Sequence, residues 1–216
     1  MSMPTLRRPA VGVSPASAIL TLAWADARER QRVIQLASSE GRQTMNLRTM
    51  PGARLVVLRR PQGGFAGWAG MDADSDPARP EVFSQFVYPA YRGIGLGALL
   101  EHVWWAYLAS RGCTTGYMRM ELGSNRELFL HRLRSGYCRR VGRGELGSRF
   151  LSACRRCELF GDPCSRQVYL AVDVEAALAG TAPASGPLDI GALPVPVELG
   201  SSFGDHRRVL LAEGAS

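Results

Sequence analysis

The chain has 216 residues and a formal net charge of +7, from 26 Lys+Arg against 19 Asp+Glu. Every one of the 26 is arginine, so chemistry that needs a lysine of this chain, such as a Schiff base or a phosphate-loop lysine, is excluded. With 46% hydrophobic and 21% charged residues, the composition suits one globular domain with some additional chain. No run approaches the ~20 apolar residues of a membrane span, which excludes an integral helical membrane protein.

In chain order, residues 1–16 carry Pro and Gly and read as a flexible leader. Arg7-Arg8, an apolar stretch and Ala23-Trp24-Ala25 imitate an export signal, but Ser14, Pro15 and Ser17 interrupt the apolar run. Residues 18–24 are also wanted as a strand, so the expected location is cytoplasmic. A helix is predicted over 25–39, and a short strand over 54–60 between Pro51-Gly52 and Pro61. Gln62-Gly63-Gly64 then turns the chain into a second hairpin arm at 65–71. After an acidic, proline-containing loop, 81–88 reads as a strand that stops at Pro89.

A helix follows, with Leu96, Leu99, Leu100, Val103 and Tyr107 in one apolar stripe, closed by Arg111-Gly112. A strand is predicted over 114–121, and a helix capped by Ser124 or Asn125 runs to Arg134. Strands at 137–141 and 167–174 flank a Gly-, Arg- and Cys-rich excursion at 142–165. Beyond residue 175 the chain turns to Ala, Gly, Pro and Ser and reads as a tail, ordered only where it packs on the body. Residues 17–175 therefore form the domain, an α/β fold of the α+β type.

Three compositional features bear on more than the fold. Asn occurs twice and Ile four times, so the missing lysines follow a codon bias against AT-rich codons. The charge is uneven: 126–166 holds ten Arg against four acids, which is +6 of the +7. Such a patch suits phosphates or nucleic acid, or simply a solvated face. Five cysteines, three of them bunched, do not form a secreted disulfide framework. Cys154-x-x-Cys157-x6-Cys164 has spacing that fits three ligands of a structural zinc, with packed thiols as the alternative.

The segment Val87-Tyr88-Pro89-Ala90-Tyr91-Arg92-Gly93-Ile94-Gly95-Leu96-Gly97 lies between a strand and the amphipathic helix. Glycines let a ligand approach the backbone, and the first helical amides lack partners of their own. With the helix dipole they make an anion site of the kind that takes a pyrophosphate. Arg92 adds a cation at its rim.

These residues resemble the R/Q-x-x-G-x-G/A signature of the GNAT acyltransferases, with Val87-x-Pro89-x-x-Arg92 as its lead-in. Asn125 and Gly136-Tyr137 resemble the N…G-F of the family's second helix. The resemblance implies a twisted, mixed, mostly antiparallel sheet flanked by helices and splayed at its fourth and fifth strands. It also implies acetyl-CoA as acyl donor. The amides of Arg92, Gly93, Ile94, Gly95, Leu96, Gly97 and Ala98 would hold its pyrophosphate. The backbone of Phe86, Val87 and Tyr88 would hold its pantetheine arm, and Asn125 would touch it from the other side. The implied reaction is acyl transfer to an amine by direct attack on the thioester.

An ammonium must lose a proton before it attacks, so a base is required. Glu81 is the candidate. In a regular strand it shares a face with Phe83, Gln85 and Val87, and the family's protein-lysine acetylating members place a glutamate there. Glu121 is the second choice. The tyrosine that serves the family as general acid falls here at Arg132, which would instead meet a phosphate, an acidic substrate or solvent. That departure leaves a second function open, a non-catalytic CoA-, nucleic-acid- or partner-binding module.

Overall fold

The structure, a computed structural model, describes residues 19–39, 52–146, 167–181, 193 and 196–204, without the side chains of 121–125, 143 and 181. The strands are β1 (Leu20–Trp24), β2 (Arg54–Arg59), β3 (Phe65–Asp72), β4 (Glu81–Val87), β5 (Thr115–Glu121), β6 (Cys138–Val141), β7 (Gln167–Asp173) and β8 (Val197–Leu199). The helices are α1 (Ala27–Ser39), α2 (Leu96–Ser110), α3 (Leu122–Arg134) and α4 (Val174–Thr181). The strands form one open, mixed sheet in the order β6-β7-β5-β4-β3-β2-β1-β8, parallel at β4–β5 and β1–β8 and antiparallel elsewhere.

Two apolar layers cover the sheet. Leu55, Val57, Trp68, Phe83 and Phe86 meet Val33, Ile34 and Ala37 of α1 on one face. Val56, Leu58, Met71, Val82, Met118 and Leu170 meet α2 and α4 on the other, with Phe129 and Leu133 of α3 packed beside them. β3 is buried along its whole length. It tolerates this position because Gly67 and Gly70 admit their neighbours. A Cβ on Gly67 would stand 2.6 Å from the Phe86 carbonyl oxygen, and one on Gly70 would stand 2.4 Å from the Phe83 ring.

Three local features depart from the sequence expectation. α2 is buried without a break from Leu99 to Leu108, including Glu101 and His102, because α4 packs against it as well as the sheet. α3 starts at Leu122, directly after β5, so Ser124 and Asn125 lie in its first turn rather than at its cap. The stretch beyond residue 175 is not only tail: α4 continues from β7, β8 adds to β1, and Phe203 is 1% exposed in the core. Its ring packs on Trp24 at 5.1 Å, and Ser202 Oγ accepts from the Trp24 amide at 2.9 Å. The residues of the imitated export signal from Leu20 onward are a paired strand.

Candidate functional site

The site begins with the geometry of β4. Phe83 stands opposite Gly70 and Phe86 opposite Trp68, so Ser84 and Gln85 together face Ala69. That is a β-bulge, and Ser84 takes φ +54 to make it. The extra residue reverses the alternation. Phe83 and Phe86 end on one face, while Val82 and Val87 end on the other. The expectation that Glu81 and Phe83 share a face with Gln85 and Val87 therefore fails, because a one-residue insertion exchanges the faces beyond it.

The bulge also bears on the neighbouring strand. β4 and β5 have seven residues each, yet they pair only through Glu81↔Tyr117 and Val82↔Met118. Beyond Val82 the two strands part, which is the splay expected from the resemblance.

The glycine-rich turn lies beyond the end of β4. Pro89–Tyr91 form a single 3-10 turn, and Gly93 and Gly95 follow at φ +79 and +86, which L side chains adopt only under strain. Gly95 is the N-cap of α2, with no side-chain cap and no acid in the first turn. Its first amides and the positive end of its dipole are therefore unanswered by the helix itself. A Cβ on Gly93 or Gly97 would meet nothing within 4 Å, so this side of the turn is open. Arg92 is exposed, as expected, but not wholly free. Its Nε donates to the Val87 carbonyl at 2.9 Å, and its guanidinium stacks 5.7 Å from the Phe86 ring centroid.

Glu81 sits at the paired end of β4, opposite Asp72 of β3 and Tyr117 of β5. It is 7% exposed, and its Oε2 has no hydrogen-bond partner among the described residues. Burial pushes its carboxyl up to about 8; Arg119 opposes the shift, and the carboxylates of Asp72 and Asp76 reinforce it. Asp72 is 4% exposed; its Oδ1 accepts from the Ser75 amide at 2.9 Å. A regular reading of the strand could point to Glu81 but not to Asp72, whose part depends on the β3–β4 register.

Arg132 lies neither toward solvent nor at a surface. It is 4% exposed, and Nη2 donates to Glu101 Oε2 of α2 at 2.9 Å. Nη1 lies 2.8 Å from Met118 Sδ, and Gln85 Oε1 is 3.5 Å from Nη2. Glu101 and Gln85 are the residues the sequence did not single out. Glu101 falls one position past Leu100 in the apolar stripe, and an acid there in a helix buried on most sides calls for a buried partner.

Asn125 falls in the first turn of α3, and Glu121 ends β5; their side chains lie outside the described residues. So do Cys154, Cys157 and Cys164 with all of the excursion beyond Leu146. Among the described residues no group of three or more His, Cys, Asp or Glu side chains could hold a metal ion. Cys138 is a buried free thiol pushed up to about 12, chiefly by burial. Also among the described residues, no helix is long and apolar enough to cross a membrane. Arg126, Arg134, Arg139 and Arg140 of the basic region are exposed, and Arg139 pairs with Glu145 at 2.8 Å.

No family model matches the chain, and no curated protein matches it. Solved structures do. An acetyltransferase of the GNAT family from Staphylococcus aureus MU50 is similar at 13% identity and a TM-score of 0.52, over 72% of this chain and 99% of that one. N-acetylglutamate synthase from Neisseria gonorrhoeae, complexed with coenzyme A and N-acetyl-glutamate, is similar at 13% identity and a TM-score of 0.49, over 71% of this chain and 35% of that one. A Bacillus subtilis acetyltransferase in complex with CoA is similar at 15% identity and a TM-score of 0.47, over 73% of this chain and 99% of that one. The fold is that of the GNAT acetyltransferases.

Proposed function

We propose that the chain is an acyl-CoA-dependent N-acyltransferase that passes acetyl from acetyl-CoA to an amine. The observation that carries the reading is an uncapped, glycine-lined helix terminus beside two strands that part beyond their second paired residue. Acetyl-CoA supplies an activated thioester carbonyl when bound. The amides from Arg92 to Ala98 would hold its pyrophosphate, helped by the dipole of α2 and the Arg92 cation. The edge of β4 at Phe86–Tyr88, released from β5, would pair with its amide-bearing arm, and Asn125, in the first turn of α3, is the further candidate to hold that arm.

Glu81 receives the proton of the acceptor ammonium. It stands five residues before Phe86, where the acyl-bearing arm would begin, so the proton would reach it through water. A carboxyl titrating near 8 is matched to that task. Arg132 does not replace the family's acid, because a guanidinium holds its proton at any working pH. The thiolate then leaves without a donor at that position. The same Arg132, committed to Glu101, favours the second reading, a CoA-binding protein without turnover.

Thiol release from acetyl-CoA, followed across a panel of small amines, polyamines and peptides, tests the function. Turnover with one of them supports transfer, whereas stabilisation by CoA without release of thiol on any amine favours the binding module. Two variants refine the test. Gly95→Val forces a branched residue into φ +86, 2.9 Å from Leu193 Cδ2, and should weaken CoA about tenfold or more by calorimetry. Asp72→Asn removes a like charge beside Glu81 and should move the midpoint of the pH–rate profile below 8. A midpoint that does not move would separate the two carboxyls.

A further inference from the structure

α2, α3 and the bulge of β4 meet in one buried polar chain. Arg132 Nη2 of α3 reaches Glu101 Oε2 at 2.9 Å and Gln85 Oε1 at 3.5 Å. Gln85 Nε2 in turn donates to the carbonyl of Gly97 at 2.7 Å. Nη1 lies 2.8 Å from Met118 Sδ and 3.6 Å from Met120 Sδ, both of β5. The chain thus starts on β5 and α3, crosses to β4 beyond its last residue paired with β5, and ends in the first turn of α2.

Each link has a cause. The bulge at Ser84 brings Gln85 to the face that carries α2; without the inserted residue that side chain would point to the layer of α1. Gly97 is four residues before Glu101, so helical geometry already gives its carbonyl the Glu101 amide. The Gln85 amide is a second bond on that oxygen and does not rescue an orphan. It fixes the direction of the first turn of α2. The network is not arranged to satisfy its own charges, because Arg132 Nε and Glu101 Oε1 are buried without partners among the described residues. A buried ion pair is a poor source of net stability, which leaves geometry as what it supplies.

We infer that Arg132 is a positioning residue: through Gln85 and Glu101 it holds the first turn of α2, and so the open amides of Gly93–Ala98, against the parted edges of β4 and β5. This rests on the acyl-CoA reading for its purpose, though not for its structure. Where the family places a proton donor, this chain has a strut between the anion-binding turn and the sheet.

Two readouts on the whole protein test it, hydrogen exchange of the Leu99, Leu100 and Glu101 amides, which close the first turn of α2, without ligand, and CoA binding by calorimetry. Gln85→Leu removes the middle link without stranding a charge. It should speed exchange of the Leu99, Leu100 and Glu101 amides about tenfold and weaken CoA about tenfold. Arg132→Met should do the same, and Arg132→Lys, which keeps the charge but not the planar fork, should recover part of both. If Arg132→Met does not fold, Gln85→Leu carries the test alone. Leu55→Ala, a core truncation on the opposite face, should lower stability while leaving both readouts as in the parent. Exchange in Gln85→Leu equal to that of the parent overturns the strut. If the parent itself binds no CoA, the acyl-CoA reading fails, while the exchange result still decides the strut.

Discussion

Glu81→Gln is expected to lower acyl transfer about 10²- to 10⁴-fold near pH 8.5, the span of a lost general base, and to raise stability at the same pH. The two effects have one cause. The site holds a carboxyl with 7% exposure and an unpartnered oxygen, so the charged form is disfavoured. The base works only when deprotonated, so the parent rate should climb with pH and level off above about 8. For stability the sign runs the other way. The folded carboxyl titrates at about 8 and the ordinary one at 4.5. The fold therefore holds a proton that the unfolded chain gives up. That contribution is fully present below 4.5 and is lost as pH rises through 8. At 1.36 kcal/mol per unit, the difference amounts to roughly 5 kcal/mol at most. Glutamine resembles the neutral carboxyl in shape and escapes this loss. Rates and thermal midpoints of both proteins from pH 5 to 9 check it. A variant that keeps its rate would end the assignment of Glu81 as base, and parallel melting profiles would show that the carboxyl is not held neutral.

What was legible in the sequence follows from the range of the forces involved. The glycine turn and its helix are local: Gly95 at the N-cap, the apolar spacing behind it and Pro89 before it are all encoded within a few residues. Strand positions followed from alternation and breakers for the same reason. The bulge was not legible, because Ser84-Gln85 carries no glycine or proline to announce positive φ; the close packing of Gly67 against Phe86 and Gly70 against Phe83 accompanies it instead. β8 was missed as a strand because three residues give no period, and its pairing with β1 joins residues far apart in the chain. Arg132 was read as a solvated or ligand-facing cation because its partner, Glu101, lies on another helix. Position in a motif tells which residue stands where the family has its acid, and only the fold tells what that residue touches.

The second large effect concerns that pair. Glu101→Leu or Arg132→Met alone should cost about 3–5 kcal/mol, since either leaves one ion buried without its counter-ion. The Glu101→Leu/Arg132→Met double variant should cost much less than the sum, because no charge is then stranded and both side chains are apolar among Met118, Met120 and the core of α2. Denaturant unfolding of the parent, the two single variants and the double variant gives the coupling energy directly. The neighbours predict which single loss is worse. Without Glu101, Arg132 keeps Gln85 and two thioethers, which are weak acceptors for a full charge. Without Arg132, Glu101 keeps no hydrogen bond that the structure gives its carboxylate, so losing Arg132 should cost the more of the two. A stable, unperturbed single variant on either side would mean that the cleft between β4 and β5 admits water to the pair, and the strut would then be wet rather than dry. The double variant, stable but slack in the first turn of α2, would separate what the charges do for the fold from what they do for the anion site.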